Sequence, residues 1–202
     1  MYVMARYPAE HKGATRERIV AASERLIKER GAQAASVEAV MRAAGLTVGG
    51  FYAHFDSKDA LTREALSYGI ERSFESLTAG LDDLDDRAWL RAVIKRYFAQ
   101  LDDPQLALGC PMTLSLADVA REDVEQRTEF AARMGALVRS IQHRFPAMAG
   151  MSPMDVALAV FAALVGAVSL GRVVARPDAR PRIIEATEKM LYAFLGLGSP
   201  TH

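Results

Sequence analysis

The chain is predicted to be all-α, with about nine helices. Three observations carry this. Apolar residues recur at three- and four-residue spacing through most segments, as in Ile19, Ala22, Leu26 and Ile27. The apolar/polar alternation of a strand is scarce. Helix starts and stops are written clearly: Ser36 and Ser152 open segments, and Gly31, Gly45 and Gly196 close them.

The first helix is expected over residues 15–30 and stops at Gly31, where a C′ residue adopts φ > 0. Ser36 caps a short second helix that ends at Gly45. Thr47 caps a third helix, and Ser57 a fourth over residues 58–77 with Leu61, Ala65, Leu66 and Ile70 on one side. Gly80 and the acids Asp82, Asp83, Asp85 and Asp86 make the clearest break, and carboxylates favour the start of the helix that follows. That helix, residues 87–101, carries Trp89, Leu90, Val93, Ile94, Tyr97 and Phe98. Pro104, Gly109 and Pro111 predict a short helix and a bend. Helices over residues 112–120 and 122–145 follow, the second stopping before Pro146. Ser152-Pro153-Met154-Asp155 is a capping-box start for a helix to about residue 174, ended by Pro177. A last helix over residues 181–195 stops at Gly196 and Gly198.

A chain of 202 residues, half of them apolar, accommodates a small head on a larger body with its own core. Formal net charge is zero, unlike a strongly basic nucleic-acid binder. The distribution is uneven: residues 1–66 carry ten Lys/Arg against eight Asp/Glu, and residues 67–202 fifteen against seventeen. The sign suits an N-terminal contact with phosphates. One cysteine, Cys110, excludes an intrachain disulfide and a multi-cysteine zinc site. The N-terminus lacks the apolar core of a signal peptide. The most apolar run, residues 156–171, is sixteen residues long, short for a membrane span. A soluble, cytoplasmic protein is expected.

Residues 45–61, GLTVGGFYAHFDSKDAL, sit between a short helix and a long one. Helix, glycine-containing turn, short helix and long helix is the layout of a helix-turn-helix DNA reader. Tyr52, His54 and Lys58 fall within seven residues, and each side chain is able to hydrogen-bond a phosphate. The motif set Thr15–Ile19, Gly31, Ser36-Val37, Ala44-Gly45-Leu46-Thr47, Gly49, Phe51-Tyr52, His54-Phe55, Ser57-Lys58 and Leu61 resembles the DNA-binding domain of the TetR/AcrR family of bacterial transcriptional repressors. The Gly109-Cys110-Pro111 turn resembles a subset of that family which also carries GGFYAHF.

The resemblance implies a helix-turn-helix head over residues 12–66 and a helical ligand-binding and dimerisation body over residues 67–202. It implies a double-stranded DNA operator, a homodimer through the last two long helices, and a small-molecule effector that shifts the two heads. DNA-facing candidates are Ser36, Thr47, Val48, Gly49, Gly50, Tyr52, His54 and Lys58. The third helix is short enough for a major groove, with its first residues at base edges. Val48, Gly49 and Gly50 carry no hydrogen-bonding side chain, so modest direct readout is expected, with Val48 suited to a thymine methyl. The plainer alternative is that Tyr52 and His54 only pack the small domain, as Phe51 and Phe55 are expected to.

In the body, the row Ala159, Ala163, Ala167 and Gly171 lets another helix approach closely, across a dimer interface or within the subunit. Trp89, Phe98, Met112, Met134 and Phe161 are candidates for an apolar ligand pocket. Cys110 is either a pocket thiol sensing electrophiles or a small buried residue. Enzyme readings find no support. Phosphate loops are absent, and His11, His54, His143 and His202 have no metal-ligand spacing. Neither cofactor nor metal is expected. A helical protein–protein adaptor is the competing reading, and Tyr52, His54 and Lys58 speak against it.

Overall fold

The computed structural model describes residues 9–32, 35–101, 112–148, 150–176 and 178–200. These form eight α-helices and two short 3-10 helices: α1 Ala9–Arg30, α2 Val37–Ala43, a 3-10 helix Val48–Ala53, α3 Lys58–Thr78, α4 Asp86–Ala99, α5 Met112–Val119, α6 Val124–Ile141, a 3-10 turn Gln142–Arg144, α7 Pro153–Val173 and α8 Ala179–Phe194. Among the described residues the β structure is a single isolated bridge, Met148 to Met151. The all-α expectation holds. The chain divides into two compact units, Met1–Ile70 and Glu71–His202, with the division falling inside α3.

In the first unit the stripe read from sequence faces inward: Ile19, Ala22, Leu26 and Ile27 of α1 are buried. Val40 and Met41 of α2, Phe51 and Phe55, and Leu61, Ala65 and Leu66 of α3 complete the core. Gly31 closes α1 at φ 80, its N–H donating to the Ile27 carbonyl at 2.8 Å. Gly45, at φ 69, closes α2 in a Schellman arrangement: Leu46 N–H reaches the Met41 carbonyl at 2.8 Å and Gly45 N–H the Arg42 carbonyl at 3.0 Å. Helix α1 begins at Ala9, before the expected residue 15. The apolar stripe starts only at Ile19, so periodicity gave no sign of the polar first turns.

In the second unit α7 is the core helix, packed by α4, α5, α6 and α8. Val156, Ala157, Val160, Leu164, Val165, Ala167, Val168 and Gly171 are its buried positions. The capping box forms: Ser152 Oγ accepts from Asp155 N–H at 3.2 Å, and the Asp155 carboxylate accepts from Ser152 N–H at 2.9 Å. The Ser152 hydroxyl, which donates to the same carboxylate at 2.6 Å, and then the Ser152 N–H hold the Asp155 carboxyl below its usual range. At 21 residues α7 is longer than its charge-free run suggested, and by length and composition alone it could cross a membrane. Its packing on four helices is that of a core helix.

Two expectations are corrected. The segment over residues 122–145 is α6 plus a separate 3-10 turn, and Asp123 caps it by accepting from Gln126 N–H at 2.9 Å. Helix α8 starts at Ala179 and not at Pro181, because a proline in the first turn lacks only an N–H that has no partner there anyway. The bend around Pro104, Gly109 and Pro111 lies outside the described residues.

Candidate nucleic-acid interface

The 3-10 helix Val48–Ala53 presents the predicted reading edge. An α-helix was expected. The tighter 3-10 form takes its place. Thr47 is its N-cap, yet the Thr47 side chain makes no capping hydrogen bond. Thr47, Val48 and Gly49 are exposed, and Gly50 is half-buried.

What holds this edge is Phe51. It is fully buried, stacks on Phe55 at 5.8 Å between ring centroids, and meets Tyr52 edge-on at 5.1 Å. Its neighbour Tyr52 points the other way and is 75% exposed. An aromatic ring so placed leaves most of its area to a partner. Ser36 caps α2, accepting from Ala39 N–H at 3.2 Å. Ser57 caps α3, accepting from Ala60 N–H at 3.0 Å, which sets partly exposed Lys58 in the first turn.

His54 follows the 3-10 helix, its N–H donating to the Phe51 carbonyl at 2.9 Å. Its Nδ1 is buried and has no hydrogen-bond partner among the described residues. Burial, then the charges of Lys12 and Arg16, push its pKa below 6.5. The imidazole is therefore neutral near pH 7, with one ring N–H to donate. A depressed histidine stabilises the fold fully above 6.5, its ordinary value, and that contribution is lost as pH falls through the lower folded value. An NMR titration of the free protein should place the His54 midpoint below 6.5; a midpoint above it would contradict this environment.

Sequence reading missed the side chains that brace the turn. Arg18 of α1 donates to the Ala44 carbonyl at 2.6 Å, satisfying a carbonyl at the end of α2. Arg16 grips Glu64 of α3 with both guanidinium nitrogens, at 2.8 and 2.7 Å, and lies 4.2 Å over the Phe55 ring. The pair is two-fifths exposed, so its energy is small, about 0–1 kcal/mol, and its use is to fix α1 against α3. The arginines themselves were legible, but their partners lie 26 and 48 residues away.

The body candidates are differently placed. Trp89 packs edge-on against Phe145 at 6.5 Å, beneath the Arg144 guanidinium at 5.8 Å. Phe98 sits on Tyr97 at 6.2 Å, and Met112 is buried. Met134 and Phe161 are half-buried. Cys110 lies outside the described residues. An open groove of about 420 Å³ runs along the start of α8 between Arg176, Asp178, Arg182 and Ile183, and includes none of these candidates.

The small-residue row splits. Ala167 and Gly171 are buried within the chain, and a Cβ at Gly171 would lie 3.5 Å from Arg180 Cγ and 4.0 Å from Ile184 Cδ1 of α8. A different row of α7 faces outward: Leu158, Ala162, Gly166 and Leu170 at four-residue spacing, continued by Val173. Leu170 is 57% exposed and Val173 77%.

Comparison with known proteins agrees with this geometry. The family described as "Bacterial regulatory proteins, tetR family" matches residues 19–65, which span most of α1 through the first turns of α3. The chain is 32% identical over 88 residues to YerO of Bacillus subtilis, an uncharacterized HTH-type transcriptional regulator, covering 44% of this chain and 30% of that protein. It is 31% identical over 127 residues to an uncharacterized HTH-type transcriptional regulator of Mycobacterium tuberculosis, covering 60% of this chain and 62% of that protein. The matched part thus spans less than two thirds of these relatives. The fold matches the crystal structure of a TetR transcriptional regulator from Chloroflexus aurantiacus with a TM-score of 0.68 at 24% identity, over 93% of this chain and 96% of that one. The N-terminal module, residues 19–65, is thus similar to that of the tetR family of bacterial regulatory proteins, and the all-helical architecture is shared with a solved TetR regulator along nearly the whole chain.

Proposed function

We propose that this protein is a DNA-binding transcriptional regulator, a repressor that a small molecule releases from its operator. The observation that carries the reading is the 3-10 helix held from inside by Phe51 while Thr47, Val48, Gly49 and Tyr52 stand exposed on its outer side. Residues 12–66 act as the DNA head and residues 67–202 as the ligand-binding and dimerisation body. Thr47, Val48 and Gly49 meet base edges, while Ser36, Tyr52, His54 and Lys58 take phosphates. With only Val48 and Thr47 offering side chains at the edge, most of the affinity comes from phosphates and DNA shape.

A gel shift with the upstream region of its own gene tests the reading, and binding should weaken steeply with salt. Lys58→Ala should weaken all sequences alike and lower the log–log salt slope by about 1. A change of base preference instead would remove Lys58 from the phosphate contacts.

The protein acts as a homodimer through α7 and α8, because paired half-sites on DNA require two heads. The outward row Leu158, Ala162, Gly166, Leu170 and Val173 supports this, being apolar, small in the middle and uncovered in the single chain. The effector must bind the DNA-incompetent state better than the competent one, and the apolar interior of the body is where we place it.

A further inference from the structure

Gly49 is the second residue of the 3-10 helix, directly after Val48 and three before Tyr52. Its φ is not positive, so the backbone does not ask for glycine. A Cβ built on Gly49 meets nothing within 4 Å. The fold therefore has no use for a missing side chain here. Glycine in a helical turn even carries an entropic penalty relative to alanine. Gly50 is different. Its Cβ would lie 3.8 Å from Cε of Met41, a side chain buried to 1% exposure, so this glycine faces the interior in ordinary van der Waals contact. Two adjacent glycines thus point in opposite senses, one to solvent and one to the core.

We propose that Gly49 is a specificity-determining residue, kept bare so that a base-pair edge of duplex DNA lies in van der Waals contact with the main chain of the 3-10 helix. The inference rests on the DNA-binding reading above. At the start of a short helix in a major groove, residues approach base edges most closely. A methyl there would hold the edge off by about 1.5 Å, the length of one carbon–carbon bond. Close approach explains a glycine that neither strain nor packing explains.

The test uses the full-length protein and a duplex enriched from a random DNA library by the wild type. Affinities for that duplex and for an unrelated duplex are measured for wild type, Gly49→Ala and Gly13→Ala, together with melting midpoints. Gly49→Ala should lose about tenfold or more on the enriched duplex. It should keep its affinity for the unrelated duplex and its salt slope, with a melting midpoint equal to or above wild type. Gly13→Ala, at an exposed glycine of α1 whose Cβ would meet nothing within 4 Å, should stay within about threefold throughout. The proposal is overturned if Gly49→Ala keeps its affinity for the enriched duplex, if it loses equally on both duplexes, or if its melting midpoint falls. If the wild type enriches no duplex, the DNA-binding reading itself fails, and the role of Gly49 with it.

Discussion

Phe51→Ala should unfold the N-terminal unit and abolish DNA binding. Phe51 is fully buried, and it joins Phe55 and Tyr52 in one aromatic cluster. Truncating a buried phenylalanine costs about 3–5 kcal/mol. A unit of 70 residues, at roughly 0.05–0.15 kcal/mol per residue, has only about 4–10 kcal/mol in all. The loss is thus a large share of what holds the head together. The only tryptophan, Trp89, lies in the second unit, so its fluorescence reports on the body while far-UV dichroism reports on all helices. The expected result is helix content lost at low denaturant while the Trp89 transition stays in place. A destabilisation below about 1 kcal/mol would show that Phe51 is not the anchor of the reading edge.

Leu170→Glu combined with Val173→Asp should give a folded monomer that binds its operator at least a hundredfold more weakly. Both side chains are more than half exposed in the single chain, so charges there leave the core untouched. Across a paired apolar face the same charges would be buried without partners. Losing the second head removes an effective concentration that raises avidity by about 10²–10⁴. Light scattering and a gel shift on the same samples decide the matter. A persistent dimer with near wild-type affinity would move the interface off this row. By contrast, a charge at Ala167 should damage the fold itself, because that residue is buried within the chain.

These two cases show where the chain is legible by itself and where it is not. The head was readable nearly residue by residue. Gly31 and Gly45 stop helices at positive φ, Ser36 and Ser57 cap them, and Phe51 and Phe55 turn inward. The body was readable as helices but not as surfaces. On α7, two four-residue rows of small and apolar residues run side by side. Periodicity cannot tell that Ala167 is buried and Gly171 faces Arg180 and Ile184 of the same chain while Leu158 and Leu170 face outward. Trp89 is another case. Its composition suited a pocket, but its neighbours Arg144 and Phe145 come from 55 and more residues along the chain.

Local sequence was enough for the helices, their caps and the helix-turn-helix order, because caps and stops are settled by hydrogen bonds within about four residues. The breaks it misjudged, at the start of α8 and the end of α6, came where proline position and a 3-10 turn adjust that same local ladder. Tertiary packing settled which face of each helix is spent on the chain's own core. It brought Arg18 to Ala44 and Arg16 to Glu64, and it showed that the bare backbone at Gly49 answers no need of the fold. Those facts depend on contacts between segments far apart in the chain, and such contacts leave no periodic trace in the residues that make them.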